Sequence, residues 1–137
     1  MQHRPLFGAI DRGTAELRAH LDRLDAILAY LPQIVLYETR GEGGSIVGNI
    51  EGLLGYPAAS FRSDQQFFLH LIHPEDIRRV RRSFDRWIAR GRQGVLTQEF
   101  RCRRADGRTI WLQDYAVSVS PSEGEPYLAG VLKDITE

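Results

Sequence analysis

Between Thr14 and Leu31 the apolar positions fall at Leu17, Leu21, Leu24, Leu28 and Leu31, spaced alternately by four and three residues, which is the seam of a heptad repeat. Ile10 extends the seam by one step. Thr14 is suited to cap the start, and Pro32, with no amide proton to continue the ladder, ends it. A helix of roughly five turns with one apolar stripe is predicted. Two readings of the stripe stay open: it covers the domain's own sheet, or it pairs with the same helix of a second subunit. Ile27 widens the stripe, so both can hold in part.

After Pro32 the pattern changes period. Ile34-Val35-Leu36-Tyr37-Glu38-Thr39 is β-branched and aromatic, and Gly41-Glu42-Gly43-Gly44 turns it back into Ser45-Ile46-Val47-Gly48, a predicted hairpin. Asn49 stands where a short helix begins, and Gly55 and Pro57 stop it. Ser63 or Asp64 caps a second short, apolar helix through Gln65 to Ile72. The next helix opens with Pro74 at its first position, where a missing amide costs nothing, and Glu75 and Asp76 complement its positive end. Its apolar residues recur at Ile77, Val80, Phe84, Trp87 and Ile88 until Gly91 closes it. Three strands follow: Gln98 to Arg104, Thr109 to Val119 and Tyr127 to Ile135. They are joined at Ala105-Asp106-Gly107 and at Pro121-Ser122-Glu123-Gly124-Glu125-Pro126. Helix, two strands, three or four helices, three strands is the order of an α+β fold with an antiparallel sheet, because parallel crossovers would need a helix after nearly every strand.

A chain of 137 residues, 42% of them apolar, makes one ordinary domain with a single core. The formal net charge of zero removes any long-range pull toward nucleic acid or anionic lipid. The single cysteine, Cys102, excludes an internal disulfide and fits a reducing compartment, so the cytoplasm is the expected location. No apolar run reaches membrane-spanning length, and the first residues lead into no signal-peptide core.

The three closing strands, together with Leu54-Gly55-Tyr56-Pro57, His73-Pro74-Glu75-Asp76 and the final Asp134-Ile135-Thr136-Glu137, resemble a PAS sensory domain of the subgroup carrying an Arg-x-x-x-Asp-Gly-x-x-x-Trp pattern. The resemblance covers residues 33–137 and leaves 1–32 as a dimerising or capping helix. It implies a five-stranded antiparallel sheet in which the two N-terminal strands lie centrally beside the last, with helices over one face enclosing a small cavity. It also implies that Asp134 and Thr136 mark the exit of the signal, where a linker helix would start toward an output domain, typically a histidine kinase or a diguanylate cyclase.

Few residues invite catalysis. No nucleophile elbow, phosphate-cradling loop or His-Glu-x-x-His pair is present, and Glu99, Asp106 and Asp114 have arginines such as Arg101 and Arg108 close by. Cys102 shares a strand face with Phe100 and reads as core, and it does not lie in the Asn-Cys-Arg motif of light-sensing PAS relatives that form a flavin adduct. His70 and His73 are three apart, but haem-binding relatives take their histidine from the long helix, which here has none. No cofactor and no metal is assigned. Arg78, Arg82, Arg86 and Arg90 recur every four residues, a solvated face or a docking surface for an acidic partner.

The residues that the resemblance places near the cavity are Tyr37, Val47, Leu53, Phe68, Leu71, Phe84, Trp87, Phe100 and Trp111, with Asn49 or Gln113 as a polar contact. The expectation is a non-enzymatic, cytoplasmic signal-transduction module that senses a small ligand or a redox or energy cue. It would act as a homodimer through Leu17, Leu21, Leu24, Leu28 and Leu31 and relay to an output domain outside this chain. The alternative is a ligand-free dimerisation or partner-docking module.

Overall fold

The structure is a computed structural model and describes residues 15, 16, 19, 20, 22–24, 26, 27, 31, 33–40, 43–64 and 66–136. A hairpin of β1 (Ile34–Arg40) and β2 (Gly43–Val47) is followed by four helices: α1 (Ile50–Leu54), α2 (Ala58–Ser63), α3 (Phe67–Leu71) and α4 (Pro74–Ala89). The chain then returns through β3 (Leu96–Arg103), β4 (Thr109–Val119) and β5 (Tyr127–Asp134). All five strands form one antiparallel sheet in the order β2-β1-β5-β4-β3. The α+β class and the five-stranded sheet with helices are as the sequence predicts. One detail differs: β1 does lie beside β5, but β2 is an edge strand and not a central one, because its hairpin partner β1 uses its other side for β5.

Period-two alternation decides which side of the sheet is covered. On β3, Leu96, Gln98, Phe100 and Cys102 are buried while Thr97, Glu99 and Arg103 are exposed. The buried face meets Ile50, Leu53 and Leu54 of α1, Leu71 of α3, Ile72 just after it, and Val80 of α4 in one core with Val35, Phe100, Leu112 and Leu132. Each fully buried large side chain contributes about 1.5–3 kcal/mol to such a core. A smaller cluster at the far end joins Trp87, Leu96 and Ala116, where the Trp87 indole N–H is shared between the carbonyls of Gln93 and Gly94.

The helices are tied to the sheet through polar contacts the sequence pattern does not reveal. Asp76, buried at the start of α4, accepts from the Arg101 backbone N–H at 2.9 Å and from its guanidinium Nε and Nη2 at 3.0 and 2.8 Å. The guanidinium hydrogen bonds hold the Asp76 carboxyl at about 2, below the usual carboxylate range. Glu75 adds an exposed contact to the same guanidinium. Arg104 donates from Nη1 to the carbonyls of Gly52 and Leu53, and the Ala105 N–H donates to Leu54, so the β3–β4 turn is fastened to α1. Gly55 closes α1 in the left-handed region at φ 82°, and a methyl group there would meet Ala105 Cβ at 2.9 Å.

Helix α2 was not foreseen from the sequence, where Pro57 reads as a stop. It follows Pro57 without a side-chain cap and has no fully buried residue. Its anchor is tertiary: the Phe61 ring packs edge-on against Phe67 at 5.1 Å. Of the predicted N-terminal helix, residues 15, 16, 19, 20, 22–24, 26 and 27 are described and helical. Leu24 is half-buried, whereas Ile27 and Leu31 are exposed. Leu17, Leu21 and Leu28 lie outside the described residues, as do Thr14 and Pro32.

Candidate ligand cavity

Between the covered face of the sheet and helices α2, α3 and α4 lies a cavity of about 400 Å³. Its floor is formed by Val35, Tyr37, Leu96, Gln98, Phe100, Asp114, Ala116, Leu128 and Leu132, and its roof by Ile50, Phe61, Phe68, Leu69, Ile72, Val80 and Phe84. Arg62, Asp64, Arg81 and Asp85 line the same space and are exposed, so it opens to the surface between α2 and α4. Size and lining are those of small-molecule sites, predominantly apolar with a few convergent polar groups.

The polar groups on the floor come from neighbouring strands. Tyr37 pairs in register with Gly130 of β5, and its ring lies across that glycine so that its hydroxyl donates to Asp114 Oδ1 on β4 at 2.7 Å. Asp114 in turn faces Gln98 directly across the β3–β4 ladder. Burial pushes the Asp114 carboxyl up to about 6, with the Tyr37 hydrogen bond pulling the other way. Burial and the neighbouring carboxylate also raise the Tyr37 hydroxyl above its ordinary value. The Gln98 side chain is buried and its Oε1 has no hydrogen-bond partner.

Among the residues expected at the cavity, Tyr37, Phe68, Phe84 and Phe100 line it. The other seven do not. Leu53 and Leu71 are core residues beneath α1 and α3, and Trp87 belongs to the second cluster. Asn49 is occupied as the cap of α1, its Oδ1 accepting from Gly52 N–H at 2.8 Å. Val47 pairs with Leu36 on the face opposite Tyr37 and Ile46. Trp111 and Gln113 also face away from the cavity. They pair across the ladder with Arg101 and Glu99, the Arg101 guanidinium lying 5.4 Å from the Trp111 ring and Gln113 Nε2 donating to Glu99 at 3.4 Å. Asp114 and Gln98 were missed as cavity residues. The signal was available in parity: Gln98 shares a strand face with Phe100 and Cys102.

Other candidates have local partners. His73 Nδ1 accepts the Glu75 N–H at 3.1 Å and caps α4. Cys102 is fully buried, and burial pushes its thiol up to about 12, away from a reactive thiolate. Among the described residues, no group of three or more His, Cys, Asp or Glu is gathered as metal ligands, and no helix is long and apolar enough to cross a membrane. At the end of β5, the Asp134 N–H donates to the Gln33 carbonyl at 2.8 Å, Asp134 Oδ1 accepts from the Thr136 N–H at 2.8 Å, and Thr136 Oγ1 accepts from the Trp111 N–H at 2.9 Å. The chain thus enters and leaves the sheet side by side.

A five-stranded antiparallel sheet in this order, with four helices inserted between β2 and β3 over a cavity, is an arrangement that can be compared with known families. A family model described as the PAS fold matches residues 45–132. The chain belongs to the PAS fold family. Its sheet superposes on the N-terminal domain of a diguanylate cyclase with PAS/PAC sensor from Marinobacter aquaeolei, with a TM-score of 0.65 and 25% identity over 76% of this chain and 96% of that one. It shares the fold of a domain from a putative light and redox sensing histidine kinase of Haloarcula marismortui, at a TM-score of 0.62 and 22% identity over 75% and 90% of the two chains. It is also similar to a PAS domain from Colwellia psychrerythraea, at 0.62 and 18% identity over 85% and 97%. No curated protein matches in sequence. PAS domains are sensory modules of signal transduction and are generally non-catalytic. The finer subgroup pattern is met only in its second half: Asp106-Gly107 and Trp111 keep the spacing, but Cys102 stands four residues before Asp106, between Arg101 and Arg103.

Proposed function

We propose that this PAS domain is a ligand-gated sensor: a small molecule enters the cavity between sheet and helices and biases the packing of the sheet against its flanking segments. The observation that carries this reading is the cavity of about 400 Å³ with three polar side chains, Tyr37, Asp114 and Gln98, on an otherwise apolar floor. A floor filled only by packing would have no reason to keep a buried amide oxygen without a partner. Residues 33–137 form the sensory domain in this reading, and residues 1–32 a helix that pairs two subunits through Leu17, Leu21, Leu24, Leu28 and Leu31.

The relay runs through the adjacent ends of the sheet. Gln33 and Asp134 are hydrogen-bonded neighbours, so a shift of β5 against β1 moves the entering helix and the departing segment together. The Asp134 carboxylate bonded to the Thr136 N–H has the spacing of a helix N-cap, which suits an output helix leading to a histidine kinase or diguanylate cyclase. The cytoplasm is the location this role requires. Such a switch needs a ligand that prefers one packing over the other.

Native mass spectrometry and small-molecule extraction of the purified protein test the reading. A stoichiometric bound compound, displaced when Phe100→Trp fills the cavity, is the expected result; an empty protein whose thermal stability no apolar probe raises overturns it. The second reading, a ligand-free dimerisation module, is favoured by the exposed Trp111, Tyr115 and Val117 on the uncovered face of the sheet. It predicts a dimer with no bound compound.

A further inference from the structure

The polar equipment of the cavity is one-sided. The Tyr37 hydroxyl is already committed as donor to Asp114, so apart from the Gln98 amide N–H groups the floor offers acceptors: the rest of the Asp114 carboxylate and the unpartnered Gln98 Oε1 opposite it. Directly paired side chains on one face of a ladder have Cβ atoms about 4.5–5.5 Å apart, so a single donor-rich group can reach both. Among the described residues no cationic side chain meets Asp114 within the cavity. The guanidiniums that line it, Arg62 and Arg81, sit at the exposed rim, each with a carboxylate close in sequence, Asp64 and Asp85. Counting Asp114, the side chains lining the space carry three carboxylates against two guanidiniums.

We infer that the cavity selects an organic cation, a small primary amine whose ammonium group lies between Asp114 and Gln98 and whose aromatic or aliphatic body packs among Phe68, Phe84 and Phe100. The inference rests on the reading that the cavity takes a ligand and adds its chemical class. A half-buried carboxylate on an apolar floor with one hydrogen bond is costly until a counter-charge meets it, and an ammonium supplies both the charge and three donors. An anion would face the same carboxylate with only the Gln98 amide N–H groups to meet it, and a neutral alcohol supplies one donor and no charge.

The selectivity depends on pH in a defined direction. The Asp114 carboxyl, raised to about 6 by burial, is ionised at neutral pH and neutral below that value. Arg62, Asp64, Arg81 and Asp85 face the same space from α2 and its C-terminal cap and from α4, at its exposed rim, while Glu38 lies on the opposite face of β1 from Tyr37. Amine affinity therefore falls about tenfold per unit as pH drops below about 6, while the affinity of a neutral probe stays level.

Calorimetric titration of the 137-residue chain with phenethylamine, 2-phenylethanol and 3-phenylpropanoate at pH 7.5 and pH 5 tests this. Phenethylamine is expected to bind at least tenfold tighter than the alcohol at pH 7.5, the propanoate weakest, with the amine's lead shrinking at pH 5. Asp114→Asn should erase the lead, the rim variant Asp85→Asn should keep it, and Gln98→Leu should reduce it several-fold; circular dichroism checks that each variant is folded. Equal binding of amine and alcohol, or a lead that survives Asp114→Asn, overturns the cation inference and leaves a ligand cavity standing. Failure of all three probes, together with no co-purified compound, overturns both.

Discussion

Tyr37 on β1 reaches Asp114 on β4 by laying its ring over Gly130 of the strand between them. A glycine inside a strand ordinarily weakens it, so its presence here marks the path of a side chain. Gly130→Ala places a methyl group in overlap with the ring and should destabilise the domain by about 1–3 kcal/mol, the usual range for overpacking a close-fitted site. Denaturant unfolding measures it. In a Tyr37→Leu background the same change should cost far less, since the obstructing ring is gone. Equal losses in both backgrounds would show that the alanine acts through the β5 backbone alone.

A buried carboxyl, Asp76, and a half-buried one, Asp114, pull the pH profile of stability in opposite directions. Asp76 is held at about 2, below its unfolded value near 3.9, so its contribution is full above about pH 4 and is lost as pH falls from about 4 to 2. Asp114 is raised to about 6, so the folded state binds the extra proton between about pH 4 and 6. Stability from this group is therefore highest near pH 4, declines as pH rises to about 6 and is level beyond. Asp114→Asn should flatten the decline between pH 4 and 6 and leave the acid limb; Asp76→Asn should do the reverse. Urea midpoints at half-unit pH steps separate the two.

The Asp76–Arg101 clamp joins the first turn of α4 to the centre of β3, whereas Glu75 meets the same guanidinium from solvent. Exposed ion pairs contribute at most about 1 kcal/mol. Asp76→Ala leaves the Arg101 backbone N–H and guanidinium without their acceptor and should lower the unfolding midpoint several times more than Glu75→Ala. Comparable midpoints for the two variants would mean that water replaces the buried carboxylate without loss.

Most of the fold was legible because it rests on period and punctuation. The 3.6 period of α4, bounded by Pro74 and Gly91, and the turns at Asp106-Gly107 and Pro121 to Pro126 locate their elements from local chemistry alone. The cavity was legible only in part. Ile110-Trp111-Leu112 is apolar on both strand faces, so size suggested that Trp111 points inward. Register with Arg101 places it outside with Gln113, Tyr115 and Val117. Conversely Asp114 reads in the sequence as a partner for nearby arginines and Gln98 as an ordinary strand residue, although strand parity sets them beside Phe100 and Leu112. Helix α2 escaped because its support is the Phe61–Phe67 contact, which no neighbouring residue encodes.

Gly55 combines two demands that a single substitution violates together. Its left-handed φ of 82° disfavours any side chain, and the space where a Cβ would stand is taken by Ala105 of the β3–β4 turn. The left-handed backbone alone costs a non-glycine residue about 1–2 kcal/mol. Gly55→Ala should exceed that, and Gly107→Ala, at φ 87° with open space around it, should stay within it. The difference between the two, read from thermal unfolding, isolates the contact with Ala105.

The last prediction concerns the leading helix and the residue that follows it, whose large apolar side chains divide between half-burial and exposure: Leu24 is half-buried and Ile27 exposed in the helix, and Leu31, outside it, is exposed. An isolated helix of this length has little stability in water, so its apolar stripe must meet a surface. The proposed surface is the same helix of a second subunit, with the uncovered sheet face, Trp111 beside the exit at Thr136 and Tyr115 and Val117 further along β4, as the neighbouring apolar ground. Leu24→Asp buries a carboxylate in that seam and should convert a dimer to a monomer in light scattering while leaving the unfolding of the sheet domain within about 0.5 kcal/mol, as for changes outside a core. Loss of the sheet domain's own stability instead would mean that the stripe covers the subunit it belongs to, and pairing would have to be sought elsewhere.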